Sequence, residues 1–266
     1  MLELKNAEQI AKIQAAGRLA ARCHREVASR LAPGVTTKEI DAFVEKWLQR
    51  EGGYPYQKGY NGFPYSICAS RNDIVCHGFP TSIPLLSGDI VTIDLVVEYK
   101  GWLADLAWTY NIGRVRPEVK ALVRHTLKAL RLGMEKARSG GRVGDISHAI
   151  GTYGRLSGYG VVQTLVGHGI GRQLHEAPEV PNEGSTGTGI VLEEGLVITL
   201  EPIFTLGGND DVWLGRDGWT VRTMNGQWAA HFEHTIAITK QGPRILTTAA
   251  SSLAQVSGFS SRRLRQ

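Results

Sequence analysis

Apolar positions along this chain change their period several times, and each change predicts an element. In TTKEIDAFVEKWLQR, Thr36 to Arg50, the residues Ile40, Phe43, Val44, Trp47 and Leu48 recur at i, i+3, i+4, i+7 and i+8, which is helical spacing. Thr36 and Glu39 supply a capping box at its start. An earlier helix is predicted near 7–29, set off by the turn Pro33-Gly34. The same order returns downstream, with a helix from Pro117 to about Arg138, the turn Ser139-Gly140-Gly141 and a second helix opened by Asp145.

Strand patterns repeat as well. SGDIVTIDL, 87–95, resembles EEGLVITLE, 193–201, and in each an acid stands six residues after a glycine: Asp94 after Gly88, Glu201 after Gly195. VCHGF around His77 likewise resembles VGHGI around His168. The offset is 107 for the acids but 91 for the histidines, so the second half is expected to carry a longer loop. Two copies of helix, helix and strands predict an α+β fold whose pseudo-symmetric halves enclose one shared site.

Composition narrows the class. The 266 residues are 42% hydrophobic and 21% charged, as in an ordinary globular protein with a substantial core. The N-terminal segment carries charges throughout and no apolar h-region, so it reads as a helix of the fold and not as a signal peptide. No apolar run reaches the ~20 residues that span a bilayer, so no membrane association is expected. Three cysteines, Cys23, Cys68 and Cys76, form no CxxC pair and suit a reducing, cytoplasmic compartment. The net charge of +5 comes partly from the Ser-rich segment 251–266, which holds Arg262, Arg263 and Arg265 and no acid. That segment reads as a disordered tail following a single domain over 1–250, open to a transient contact with the ribosome or RNA but carrying no specific nucleic-acid motif.

Candidate chemistry lies in the strands. Asp94 stands inside IVTIDLVV, Glu201 inside LVITLEPIF and Glu233 inside HFEHTIAI. Each is an acid in a run that otherwise reads as buried strand. A buried carboxylate must neutralise, pair with a cation or bind a metal. Any one of these acids alone reads best as half of a salt bridge, but few Lys or Arg residues share the same runs, so together they need another source of positive charge.

Asp94 and Asp105 allow a geometric expectation. Lys100-Gly101 suits a hairpin tip; if Tyr99 pairs with Trp102, Asp105 falls opposite Val96. The two aspartates then share a face as diagonal neighbours ~7–8 Å apart, within reach of two ions ~3.5–4 Å apart. A turn of odd length would separate them. Glycines around His168, in VGHGIG, let backbone approach the ring, and neither GxGxxG after a strand nor a phosphate-loop Lys-Ser/Thr is present. Carboxylates with one imidazole suit Mn²⁺, Fe²⁺, Co²⁺ or Zn²⁺.

With His77 in NDIVCHGFP, Asp94 and Asp105 eleven apart, His168 in GHGIGRQLHEAP, Glu201 in ITLEPIF and Glu233 in HFEHT, the chain resembles the methionine aminopeptidases over roughly Ala7 to Ala249. The resemblance implies the pita-bread fold around a dinuclear centre of divalent ions, and removal of the initiator methionine from nascent chains when the next residue is small. It implies that Asp94 chelates one metal, that Asp105 and Glu233 bridge both, and that His168 and Glu201 hold the second. A water or hydroxide between the ions is then the nucleophile, with Glu201 the general base. His77 and His175 match the two non-ligand histidines that steady the scissile amide. Tyr60, Phe63, Cys68 and Trp219, with Leu174 nearby, would line the methionine pocket.

The short spacing of Glu201 and Glu233, 32 positions, leaves no room for the insertion of type II enzymes. With no zinc-finger extension expected either, the resemblance is to the short bacterial type I enzymes, for which a monomer is the expectation. Ala104 stands where the family often has glycine, Leu174 where an aromatic is common and Asn61 where histidine is frequent. His231, two residues before Glu233, is positioned to reach the site. Two other readings stay open: a proline-specific relative of the same fold, which usually has a further N-terminal domain, and a binding-only relative, which typically lacks ligands.

Overall fold

A computed structural model of the protein describes residues 2–248; the tail expected over 251–266 lies outside them. Helices α1 (Ala7–Ala28) and α2 (Thr37–Arg50) belong to the first half, α3 (Pro117–Lys136) and α4 (Val143–Leu156) to the second. The capping box of α2 forms as expected: Thr36 N–H donates to Glu39 at 2.7 Å and Glu39 N–H to the Thr36 hydroxyl at 3.2 Å. A second box, Asn6 with Gln9, starts α1. Helix α4 departs from expectation, because it begins at Val143 and not at Asp145. Asp145 sits in its first turn, where the carboxylate accepts N–H groups from Arg142 and Gly187, both at 2.8 Å.

The duplication extends to backbone hydrogen bonds. Gly34 donates to Leu85 at 2.8 Å, and Gly140 donates to Leu192 at 2.9 Å. Both glycines have positive φ, 93° and 87°, a conformation that favours glycine at each turn. Isolated bridges Thr36–Pro84 and Arg142–Val191 complete the correspondence.

Strands Ile90–Tyr99 and Trp102–Asn111 form a continuous antiparallel hairpin with Tyr99 opposite Trp102 and Asp105 opposite Val96, the even register that puts the two aspartates on one face. In the other half, Val197–Leu200 lies in a five-stranded sheet between His234–Thr239 and Gly167–Gly169. The halves are tied where Asp105 N–H donates to the Thr235 hydroxyl and that hydroxyl donates to the Asp105 carbonyl, each at 2.9 Å.

Glu201 and Glu233 stand between strands instead of inside them: Val197–Leu200 ends before Glu201, and Ala229–His231 ends before Glu233. Pro202 cannot donate to a ladder, and Glu233 N–H turns away to donate to Ala107 of the hairpin at 2.9 Å. Helices cover the opposite face, where His24 of α1 meets the Tyr110 hydroxyl at 2.9 Å.

Candidate metal centre

A cavity of about 630 Å³ opens between the halves, and Asp94, Asp105, His168, Glu201 and Glu233 all line it. Each arrives by a different route: the aspartates from one face of the hairpin, His168 from the short strand Gly167–Gly169, and the glutamates from the two strand breaks. One ligand atom each from Asp105, His168 and Glu233 falls within 4.8 Å of the others. His168 Nε2 is 3.7 Å from Glu201 Oε1.

Neighbouring groups orient these side chains. Thr199 donates to Glu201 Oε1 at 3.0 Å and accepts the His168 N–H at 3.0 Å. The Nδ1–H of His168 donates to the Gly169 carbonyl at 2.9 Å, which leaves Nε2 with its lone pair toward Glu201. Gln57 accepts the Val96 N–H at 2.6 Å and donates to the Asp94 carbonyl at 3.1 Å and the Cys68 sulfur at 3.4 Å. Sequence reasoning missed Thr199 and Gln57. Thr199 carries a signal, lying two residues before Glu201 in a strand; Gln57 sits in an irregular segment and carries none.

Electrostatics give the fit test. Asp94 Oδ1, Asp105 Oδ1 and Glu233 Oε1 are buried with no hydrogen-bond partner. No Lys or Arg lines the cavity among the described residues. Burial raises the Asp94 carboxyl to about 6 and the Glu201 carboxyl to about 8; burial and then the neighbouring acids hold Asp105 and Glu233 well above the usual carboxylate range. Burial lowers His168 to about 4, which keeps its imidazole neutral, the form able to ligate a metal. Two buried acids, two half-buried ones, one neutral imidazole and three orphaned buried oxygens fit divalent cations, whose charge is what the cavity wall lacks.

The remaining expected residues also converge here. His77, His175, Tyr60, Phe63, Cys68, Trp219, Leu174 and Asn61 line the same cavity. His77 holds φ at 53°, a left-handed conformation uncommon outside glycine, and burial lowers its imidazole to about 4. His175 meets the Tyr60 hydroxyl through Nδ1 at 3.0 Å, and its ring packs edge-on to His168 with centroids 4.5 Å apart. Phe63 and Trp219 meet edge to face at 5.1 Å. Ala104 does not line the cavity; it is buried in the apolar cluster that holds Ile10 and Ile13. His231 does line it, with Nε2 4.0 Å from Glu233 and neither ring nitrogen hydrogen-bonded.

Comparison with known proteins agrees with this geometry. The profile of metallopeptidase family M24 matches residues 11–240. Methionine aminopeptidase 1 of Bacillus subtilis is 41% identical over 247 residues, covering 93% of this chain and 99% of its own. The methionine aminopeptidase of Clostridium perfringens is 42% identical over the same length and coverage. The crystal structure of methionine aminopeptidase from Rickettsia prowazekii superposes with a TM-score of 0.91 at 40% identity, over 93% of this chain and 100% of that one. The prolidase of Pyrococcus horikoshii, 24% identical with a TM-score of 0.75, shares the fold; this chain spans 63% of its length. With the two-half architecture, these matches make the fold the pita-bread fold, and the chain belongs to metallopeptidase family M24 and, within it, to the methionine aminopeptidases.

Proposed function

We propose that the protein is a metal-dependent aminopeptidase that removes an N-terminal methionine when the next residue is small. The observation that carries this reading is one cavity in which four acids, with no Lys or Arg in the lining, and His168 adjoin the aromatic and thiol residues Phe63, Trp219 and Cys68. Asp94, Asp105, His168, Glu201 and Glu233 would hold two divalent ions, Mn²⁺, Fe²⁺, Co²⁺ or Zn²⁺. Bound there, the ions would polarise the scissile carbonyl and acidify the attacking water.

The protein's own groups do the rest. A thioether side chain is well held between the aromatic faces and soft sulfur of the pocket. Glu201, oriented by Thr199, takes the proton of the attacking water and returns it to the departing amine. With the Tyr60 hydroxyl donating to Nδ1, His175 carries its hydrogen on Nε2 and donates it to the amide oxygen as charge develops. His77 flanks the same amide.

Purified protein should release methionine from Met-Ala-Ser only after addition of one of these ions. No release with any of them, from folded protein, would transfer the reading to a proline-specific or binding-only relative. His175→Ala should lower kcat by ~10²–10³ with KM changed far less, because the donor acts on charge that exists only in the transition state. A rise in KM alone would make His175 a binding residue instead.

The substrate partners are the N-termini of nascent polypeptides, so the working compartment is the cytoplasm, in keeping with three free cysteines. No described helix is long and apolar enough to cross a membrane. We infer that residues 1–250 act as one catalytic domain and as a monomer, and that the tail makes a transient contact with the ribosome.

A further inference from the structure

We propose that a groove on the helix-covered face is a docking site for an acidic peptide segment of a partner protein that inserts apolar side chains. The groove, about 410 Å³, runs between the end of α1 and α3. It lies behind the metal centre, because Trp108 and Phe232 form its floor while Asp105 and Glu233 of the same segments line the catalytic cavity. Ala28 and Leu31 make one wall, and Val123 and Leu127 of α3 make the other. On that side only Ala28, the last residue of α1, and Leu31 beyond it line the groove, and both are apolar.

The rim is strongly one-signed. Over 120–131, KALVRHTLKALR, α3 carries Lys120, Arg124, Lys128 and Arg131 and no acid. All four are exposed and line the groove. Among the described residues none forms an ion pair with a carboxylate; Lys128 instead lies 5.0 Å from the Tyr153 ring. Cations repeated at i, i+4, i+8 and i+11 repel one another along a helix, so the row destabilises α3 in isolation. At ~1.5 Å per residue the row is ~16 Å long, which matches acids at the same spacing on a docked amphipathic segment.

Charge complementarity selects an anionic occupant, and the floor selects a peptide over nucleic acid. Trp108, Tyr110 and Phe232 are only 5%, 8% and 1% exposed, so no ring face is presented for a base to stack on. The apolar wall of α1 instead accepts aliphatic side chains. The sequence 251–266, with Arg262, Arg263 and Arg265 and no acid, has the same sign as the row, so charge complementarity points to a partner's segment.

The test uses the full chain, loaded with Mn²⁺, and a fluorescein-labelled peptide of about 16 Glu and Leu residues with the leucines on one helical face. Anisotropy should show saturable binding, weakened at least ~10-fold by Arg124→Glu with Arg131→Glu and by ~0.5 M salt. Replacing the peptide's leucines by serine should also abolish binding, while Met-Ala-Ser hydrolysis by the double variant stays at the wild-type rate. The proposal is overturned by absence of saturable binding up to about 1 mM peptide, by binding indifferent to the double variant, or by tighter, variant-sensitive binding of a single-stranded RNA of equal charge.

Discussion

Asparagine in place of Asp105 should abolish methionine release and, in the same protein stripped of metal, raise stability at neutral pH. The two effects share one cause. Asp105 is buried beside Asp94, Glu201 and Glu233 and has an oxygen without any partner, so without cations its charge is opposed by both burial and its neighbours. Asparagine is the permanently neutral analogue of the protonated carboxyl, and its amide can donate to the surrounding carboxylates, so no new orphan is created. The gain is limited by the cost of protonating an ordinary aspartate at the working pH, about 2–4 kcal/mol near pH 7. Thermal unfolding in EDTA should therefore show a higher Tm for Asp105→Asn at pH 7 and no difference near pH 4. In the loaded enzyme the sign reverses. Loss of one of the groups that would hold the ions would remove several kcal/mol of transition-state stabilisation, so kcat/KM for Met-Ala-Ser should fall by ~10³-fold or more. A variant less stable than wild type in EDTA at pH 7 would mean that Asp105 serves the fold and not a cation.

Much of this arrangement is legible in the sequence because it depends on local periods. The hairpin register follows from strand alternation across Lys100-Gly101, and the observed pairing of Tyr99 with Trp102 is the even case that brings Asp94 and Asp105 together. The helices of both halves follow from apolar spacing and capping residues, apart from the start of α4, where Asp145 acts from within the first turn. Convergence of His168, Glu201 and Glu233 with the aspartates is different in kind. Nothing periodic states it; it was legible only through the repeat and the family motif.

The misses have physical reasons. Glu201 and Glu233 read as strand residues because their neighbours are apolar, yet Pro202 and the Glu233–Ala107 hydrogen bond break the ladders there. Those breaks let both acids leave the sheet plane and face the cavity. Thr199 and Gln57 act through hydrogen bonds to a ligand or its backbone, a role that residue type alone does not announce.

Chelation should destabilise the protein more as pH rises from 6.5 to 8. In the metal-free chain, burial raises Asp94 to about 6 and Glu201 to about 8, against ~4 for the same groups unfolded. A group raised on folding contributes stability that is fully present below its unfolded pKa and is lost as pH climbs through the folded value. The histidines run the other way: His77 and His168 are lowered to about 4 and His231 to about 3, so their contribution is present above ~6.5 and lost as pH falls. Above pH 6.5 the unfolded histidines shed their remaining protons by about pH 7.5, a change common to the metal-free and the loaded protein, so the difference between the two is set by the raised carboxylates. Between pH 6.5 and 8 Glu201 alone accounts for about 2 kcal/mol, or roughly 5 °C in a domain of this size. With divalent ions bound, the carboxylates are already ionised and compensated, so the carboxylate part of the slope should vanish. Thermal unfolding with EDTA and with Mn²⁺ across this range should give curves that diverge toward pH 8. Parallel curves would mean that the buried acids are neutralised within the protein itself, and the cation-binding reading of the cavity would fall with them.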